Sequence, residues 1–334
     1  MRRRDFIAGL TFAAAMGRAQ AQQTGKVYRI AFAHQSAPVA DINQASKGSL
    51  AIPAIFEQLT RLGYVEGRNL LIERYSGEGR AANYPDLARQ IVSRNPDLII
   101  AIGQFIVLDI KAATSTIPVV GVFGNPIAFG IVPSLARPGG NITGVTVDVG
   151  FDQWVKRVQL LKEAVPQITR LGFLETRVGR ERVGATIGRE IALKNSVSIV
   201  GPPLEPPIDE QEYHRVFAAL AQEGADGLLV GDEPENVSYR KLIVELAEKG
   251  RLPTIFSYRQ FAEAGGMMSY GIDISDIGHR VADLVDQILK GAKPGEIPIF
   301  QPTHFELSVN LKTAKTLGIE LPPFLVARAD NVIE

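Results

Sequence analysis

The sequence predicts an α/β fold with two doubly wound, Rossmann-like lobes. Short runs rich in Val and Ile alternate along the chain with longer segments whose apolar residues have helical spacing. This alternation is typical of βαβ units and parallel sheets. It breaks at residues 138–141, Pro-Gly-Gly-Asn, and a second series of the same units follows. With 334 residues, the chain is too long for one small core and suits two domains.

The first series is predicted to contain four strands separated by helices. The run at 97–102 is apolar and uninterrupted after Asp97, as expected for a strand buried on both faces. In the first helix, Pro53 should cause a kink or mark the true start, and Gly63 fits a C-cap. The predicted strands are 27–33, 69–75, 97–102 and 117–123, and the predicted helices are a segment ending near 62, then 82–94 and 106–113. The chain is predicted to cross between the lobes first near 144–148.

The second series repeats the pattern. Its first helix, 151–164, has apolar positions that recur every three or four residues. The predicted strands are 171–174, 197–200, 226–230, 254–256, 267–270 and 305–309. The other predicted helices are 182–194, 211–222, 237–249, 277–290 and a short one ending near 317. Residues 293–295, Lys-Pro-Gly, are predicted to form a linker.

The N-terminal segment predicts export. Three arginines precede the uncharged run 7–16, and Ala19-Gln20-Ala21 matches the small-x-small pattern that signal peptidase accepts. The run is shorter than the roughly 20 apolar residues of a membrane-spanning helix. Residues 3–7, Arg-Arg-Asp-Phe-Ile, resemble a twin-arginine signal. We therefore expect a signal peptide at 1–21, cleaved after about Ala21; an uncleaved membrane anchor is the alternative that the Ala-Gln-Ala site disfavours.

The composition argues against several classes of protein. The chain has 36 basic and 36 acidic residues and no Lys or Arg run after the signal, so no nucleic-acid partner is expected. The absence of Cys excludes disulfides, thiolate catalysis and an N-terminal lipid anchor. The four His residues lack metal-binding spacing, and no nucleophile elbow, Walker A loop or dinucleotide fingerprint occurs. These observations favour a binding protein without cofactor or metal over an enzyme.

Residues that directly follow predicted strands are the candidate ligand contacts, because doubly wound sheets bind ligands at the carboxyl ends of their strands. Gln104 opens a helix whose N-terminal N–H groups favour an anion, although an ordinary strand-to-helix turn is the alternative. Asp232 is placed to meet a ligand ammonium, or to favour the next helix N-terminus. Tyr258 is placed to stack on a ring, or to pack at a hinge. The full candidate set is Gln35, Ser36, Gln104, Phe105, Asn125, Pro126, Glu175, Thr176, Asp232, Asn236 and Tyr258.

Four segments resemble a family of ABC transporter substrate-binding proteins with the type I periplasmic-binding fold, whose members include tryptophan- and other aromatic-amino-acid-binding proteins. They are 62–69, Leu-Gly-Tyr-Val-Glu-Gly-Arg-Asn; 113–120, Ala-Thr-Ser-Thr-Ile-Pro-Val-Val; 135–144, Leu-Ala-Arg-Pro-Gly-Gly-Asn-Ile-Thr-Gly; and 270–273, Tyr-Gly-Ile-Asp. The resemblance implies a hinge of three segments. It places 27–143 plus 260–298 in lobe one and 144–259 plus 299–334 in lobe two.

The resemblance also implies a function. It describes a periplasmic protein, expected to be a monomer, that captures a small organic ligand in the interlobe cleft by hinge closure and delivers it to an ABC permease of the inner membrane. An amino acid, or an aromatic or other carboxylate, is the expected ligand. The ligand-binding subunit of a sensory system and a secreted hydrolase are the alternatives.

The chain departs from the family pattern in the predicted cleft. Gln104-Phe105 stand where relatives commonly have Thr-Pro, Asn125 stands where they have Asp, and Glu235-Asn236 stand where they have Asp-Asn. Two of these departures change charge or hydrogen bonding at predicted contacts, so the resemblance does not settle whether the ligand is aromatic.

Overall fold

The computed structural model of the protein describes residues 26–46, 49, 51–147, 151–181 and 185–334. The predicted signal peptide at 1–21 lies outside the described residues. Two sheets with helices packed against them confirm the predicted α/β class with two doubly wound lobes. Within the described ranges, no helix has both the length and the hydropathy needed to cross a lipid bilayer.

The strands form one sheet of five and one of seven. Sheet one contains β1 (Tyr28–His34), β2 (Leu70–Ser76), β3 (Leu98–Ile102), β4 (Val119–Phe123) and β5 (Ile142–Thr146). Sheet two contains β6 (Arg170–Leu174), β7 (Ser198–Val200), β8 (Gly227–Val230), β9 (Thr254–Phe256), β10 (Met268–Gly271), β11 (Glu306–Asn310) and β12 (Asn331–Ile333).

Helices follow most of the strands, as the sequence predicts, although the described residues between β4 and β5 contain none. They are α1 (Ala51–Arg61), α2 (Tyr84–Ser93), α3 (Gln104–Ala113), α4 (Phe151–Ala164), α5 (Arg177–Gly179), α6 (Ala185–Asn195), α7 (Glu210–Gln222), α8 (Pro234–Ser238), α9 (Arg240–Lys249), α10 (Arg259–Glu263), α11 (Ile274–Leu289), α12 (Leu311–Leu317) and α13 (Pro323–Ala327). Pro53 lies in the first turn of α1, where proline is tolerated. It therefore marks the start of that helix.

The strand orders place the ligand side of each sheet. Sheet one has the order β2-β1-β3-β4-β5 and is parallel throughout. Sheet two has the order β12-β11-β10-β9-β8-β6-β7, and only the β10–β11 pair is antiparallel. The direction of winding reverses between β1 and β3 in the first sheet and between β6 and β8 in the second. Ligands of doubly wound sheets bind at the carboxyl ends of the strands at this reversal.

The central strands of sheet one are buried on both faces. All five residues of β3 and all five of β4 are buried. Alternate residues of β3 belong to different apolar clusters, since Ile100 packs in one and Ile99 in another. This packing is why the uninterrupted apolar run identified β3 to within one residue.

Hydrogen bonding places three segments differently from the boundaries at 143, 259 and 298 that the family resemblance implies. Strand β5 pairs with β4 along its whole length and therefore extends lobe one to 146. Strand β10 pairs with β9 and β11, so the segment up to Gly271 lies in sheet two. Phe300 exchanges backbone hydrogen bonds with Gly144 and Thr146 and lies beside β5.

Helix α11 returns to lobe one although both strands that flank it lie in sheet two. It packs along α1, where Nε2 of Gln58 donates to Oδ1 of Asp283 (2.8 Å). The hydroxyl of Tyr64 donates to Oδ1 of Asp286 (2.9 Å). The chain therefore crosses between the lobes after 147, between β10 and α11, and between 300 and β11.

Candidate functional site

A narrow cleft separates the two lobes at the carboxyl ends of their strands. It has two chambers that share Gln104, Gly124 and Asp232. The apolar chamber, about 50 Å³, is lined by His34, Ser49, Ala51, Ile102, Gly103, Gln104, Val122, Phe123, Gly124, Val147, Asp232, Pro234, Val237, Tyr258 and Ile274. The acidic chamber, about 40 Å³, is lined by Gln104, Gly124, Asn125, Phe129, Trp154, Phe173, Glu175, Gly179, Ile187, Gly231, Asp232 and Glu233. One buried water needs roughly 10–15 Å³ of cavity volume. Both chambers are therefore small, which shows that the two lobes stand close together.

The lobe-one wall offers hydrogen-bond donors. Gly103, with a φ of 113°, follows β3 and precedes the first turn of α3. A Cβ at this position would lie 2.5 Å from the side chain of Gln35, so glycine is required by space as well as by φ. Oε1 of Gln104 accepts from the backbone N–H of Gly124 (3.1 Å), which leaves its Nε2 hydrogens for the cleft. The wall therefore combines an amide donor with the positive end of a ten-residue helix.

His34 adds a neutral donor to the same wall. Its Nδ1 accepts from the backbone N–H groups of Ala37 (2.8 Å) and Ser36 (3.1 Å). Burial lowers the pKa of His34 to about 3. With Nδ1 accepting and the ring uncharged, the proton resides on Nε2. His34 was missed among the candidates. The signal that could have found it is its place as the last residue of β1, directly before Gln35.

We expect the His34 ring to stay neutral from pH 8 to pH 5. We also expect its lowered pKa to reduce the free energy of unfolding at acid pH. The unfolded ring takes up a proton near its ordinary pKa, roughly 6.5, whereas the folded ring does so only near 3. Stability is therefore fully present above the unfolded pKa and falls as pH drops below it, by up to about 1.4 kcal/mol per pH unit. An NMR titration of the ring checks this expectation, and a shift of its resonances between pH 8 and 5 would contradict it.

The lobe-two wall is acidic. Glu175 and Glu233 are almost completely buried, and Asp232 lies between them and the apolar chamber. Burial raises the pKa of Glu175 to about 7, although Nε of Arg180 donates to its Oε1 (2.8 Å). Burial, together with the charges of Asp232 and Glu175, raises the pKa of Glu233 well above its ordinary range. A cationic group in this chamber would favour the ionised carboxylates, because an opposite charge offsets part of their desolvation.

Three aromatic rings, those of Phe129, Trp154 and Phe173, line the acidic chamber. The rings of Trp154 and Phe173 lie 5.5 Å apart, and the guanidinium of Arg157 covers Trp154 at 4.6 Å. Both rings belong to the core of lobe two and also line the chamber. Among the described residues, no group of three or more His, Cys, Asp or Glu side chains is arranged to hold a metal ion.

The structure brings five of the eleven candidates to the cleft. Gln104, Asp232 and Tyr258 line the apolar chamber, and Asn125 and Glu175 line the acidic one. Asn125 also caps the following turn, since its Oδ1 accepts from the N–H of Ala128 (3.0 Å). Sequence reasoning missed His34, Glu233 and Trp154, which line the chambers as well.

The other six candidates lie outside the two chambers. Asn236 is fully buried, accepts from the hydroxyl of Tyr213 (3.0 Å) and braces the loop after β8. Thr176 caps α5 and shares a smaller interlobe cavity with Phe105.

Ser36 lies on an outer groove, where its hydroxyl lies 3.2 Å from that of Ser238 in the other lobe. Pro126 is buried in the turn that follows β4, and Gln35 is buried between the lobes.

Comparisons with known proteins give one matching family model and several similar proteins. A family model described as ABC transporter substrate binding protein matches residues 48–333. A tyrosine-binding protein of Clostridioides difficile is 25% identical over 281 residues, which is 84% of this chain and 78% of that protein. A conserved domain protein from Vibrio cholerae has a TM-score of 0.80 at 24% identity, covering 92% of this chain and all of the other. A Streptococcus pneumoniae ABC domain in complex with L-Trp has a TM-score of 0.77 at 24% identity, covering 92% and 99%.

Proposed function

This chain belongs to the family of ABC transporter substrate-binding proteins, and we propose that it binds an L-amino acid, as the zwitterion, in the interlobe cleft and delivers it to an ABC permease. Members of the family bind small ligands, and two of the relatives described above are named with a ligand, tyrosine in one and L-Trp in the other. Both ligands are amino acids, which supports the class without selecting its side chain.

The opposite character of the two walls carries the proposal. In the arrangement we propose, donors of lobe one, Gln104 and His34, hold the α-carboxylate beside the N-terminus of α3. Asp232 and Glu175 of lobe two hold the ammonium. The ligand side chain then lies in the apolar chamber, against Val122, Phe123, Val237, Tyr258 and Ile274. Charge-assisted bonds at both ends would orient the ligand across the gap.

Ligand capture proceeds by hinge closure in this proposal. The cleft leaves space for only a few water molecules, so a ligand enters when the lobes stand apart. The three crossing segments absorb the rotation, and the ligand favours closure because it contacts both walls only in the closed form. The closed form then docks on the permease.

The cellular setting follows from the same proposal. Export through the predicted twin-arginine signal would place the protein in the periplasm as a monomer that meets its permease at the inner membrane. The protein would release its ligand unchanged, as a carrier and not as an enzyme. Mass spectrometry of ligand recovered after incubation checks this point, since a chemically altered product would contradict it.

A thermal-shift screen of the chain from residue 22 onward tests the proposal directly. We expect at least one L-amino acid to raise the melting temperature by several degrees, because ligand at about 100 times its Kd adds about 2.7 kcal/mol. Matched analogues of that amino acid, one lacking the carboxylate and one lacking the ammonium, should give little shift. Stabilisation by none of the twenty, or an equal shift with the analogue lacking the ammonium, would contradict the proposal.

A further inference from the structure

We propose that Gln35 and Glu235 form an interlobe latch that engages only when the Glu235 carboxyl carries a proton, so that closing the cleft takes up a proton at this residue. The inference rests on the hinge closure proposed above. It concerns a contact outside the two chambers of the cleft, and it makes closure sensitive to pH before any ligand is bound.

The Gln35 side chain connects the two lobes directly. Its Nε2 donates to Oε1 of Glu235 in lobe two (2.7 Å), and both side chains are buried. Its Oε1 accepts from the backbone N–H of Phe105 (3.1 Å), in the first turn of α3. Because this carbonyl oxygen is occupied by an N–H donor, the amide can present only its NH₂ group to Glu235. The latch therefore links lobe two to the helix N-terminus that lines the cleft.

Among the described residues, none supplies a positive charge to the Glu235 carboxyl. Within the part of the chain that the structure describes, its Oε2 is buried without a hydrogen-bond partner. The hydroxyl of Tyr84, on α2 of lobe one, reaches Oε1 at 3.5 Å. An ionised carboxylate in such a site is strongly disfavoured by desolvation. A proton on Oε2 removes this charge and keeps Oε1 as the acceptor for Gln35.

The groups that surround Glu235 do not offer a positive charge that could stabilise its ionised form in place of the proton. Tyr213 of α7 and Glu233, the residue before α8, are buried beside it, and burial raises the pKa of both. Burial likewise raises the pKa of Glu235, and the hydrogen bonds from Gln35 and Tyr84 oppose this only in part. Among the described residues that line the small cavity next to Glu235, Arg177 alone is a cation, and its Nε donates to Glu205 (2.6 Å).

Opening the lobes would expose this carboxyl. The side chains that cover it from lobe one, Gln35 and Tyr84, move away with that lobe, and Gly79 beside its Cγ does the same. In water the pKa of Glu235 returns to its ordinary range, so the pKa is higher in the closed form than in the open one. The latch therefore contributes fully below the open-form pKa. Its contribution declines, by up to about tenfold in the closure equilibrium per pH unit, as pH rises through the closed-form pKa.

The absence of cysteine makes a direct measurement possible. Ala128→Cys in lobe one and Thr186→Cys in lobe two are exposed positions for a donor and acceptor dye, and energy transfer reports the interlobe distance without ligand. We expect the closed-to-open ratio to fall at least about tenfold between pH 5.5 and 8. Glu235→Gln, a neutral isostere, should keep the short distance at both pH values. Glu248→Gln, an exposed acid on α9, should behave like the unchanged protein.

The outcomes separate the latch from the proposed function. A distance that does not respond to pH, or a Glu235→Gln variant that keeps the full response, overturns the latch even if amino acids bind. If Glu235→Gln fails to fold by circular dichroism, Gln35→Met replaces it, and this variant should favour the long distance at pH 5.5. An unchanged pH response in Gln35→Met overturns the latch. Failure of every amino acid in the thermal screen overturns the proposed ligand class but leaves the ligand-free distance measurement valid.

Discussion

Replacing Asp232 with Asn is expected to weaken amino-acid binding about 10- to 100-fold while leaving the fold intact. Asp232 lies where the apolar and acidic chambers meet, which is where the ammonium of a ligand spanning both walls would lie. Hydrogen bonds to a charged group contribute about 1.5–3 kcal/mol, and the substitution keeps the size of the side chain while removing its charge. Isothermal titration with the amino acid that gives the largest thermal shift, or with L-tyrosine and L-tryptophan, measures the loss.

Two controls make the Asp232 result specific. Asp152→Asn removes a charge from α4 of the same lobe at a side chain that is 97% exposed, and it should leave the affinity unchanged. The analogue of the ligand that lacks the ammonium should bind both Asp232→Asn and the unchanged protein with the same weak affinity. A loss of affinity that is equal for the amino acid and for this analogue would show that Asp232 acts on another part of the ligand, contrary to the proposed orientation.

Local pattern was enough to predict the elements of this fold whose hydrophobic signal is self-contained. Strand β3 is an apolar run bounded by Asp97 and Gly103, and α4 carries its own helical periodicity, so both were predicted almost to the residue. Strands β5 and β12 were missed. Each is five residues or fewer, and each is defined by its hydrogen bonds to a distant strand. A prediction from a short stretch of sequence does not see both strands of such a pair at once, so it does not detect them.

The candidate site shows the same limit at the level of single side chains. Strand ends indicated which loops reach the cleft, and Gln104, Asp232 and Tyr258 were found in this way. The choice between neighbours depends on the local turn. His34 lines the apolar chamber, whereas Gln35, one residue later, is turned into the lobe interface. Similarly, Glu233 lines the acidic chamber, while Asn236 braces the loop that carries it.

Two glycines of the segments that carry the family resemblance, Gly144 and Gly271, have a physical explanation in the packing of each sheet. Gly144 in β5 has a φ of 155°, and a Cβ there would overlap the carbonyl of Gly121 in β4. Gly271 ends β10, and a Cβ there would overlap the carbonyl oxygen of Ser257, which follows β9. In both cases two backbones approach too closely for any side chain. These two glycines are therefore requirements of strand packing and do not themselves identify a ligand.

We expect Gly271→Ala to destabilise the protein by about 3 kcal/mol, because the added methyl meets backbone atoms that cannot rotate away. Gly188→Ala in the interior of α6 is the matched control. Its new methyl would lie 3.6 Å from Ile199, an ordinary contact, and the helix should gain roughly 0.5–1 kcal/mol. The melting temperature, followed by circular dichroism, should therefore fall for Gly271→Ala and rise for Gly188→Ala, although both variants add the same methyl group. The clash also displaces Ser257 and the adjacent Tyr258, which lines the apolar chamber, so Gly271→Ala should lose ligand affinity as well. A Gly271→Ala protein that melts and binds like the unchanged chain would contradict the close approach of β9 and β10.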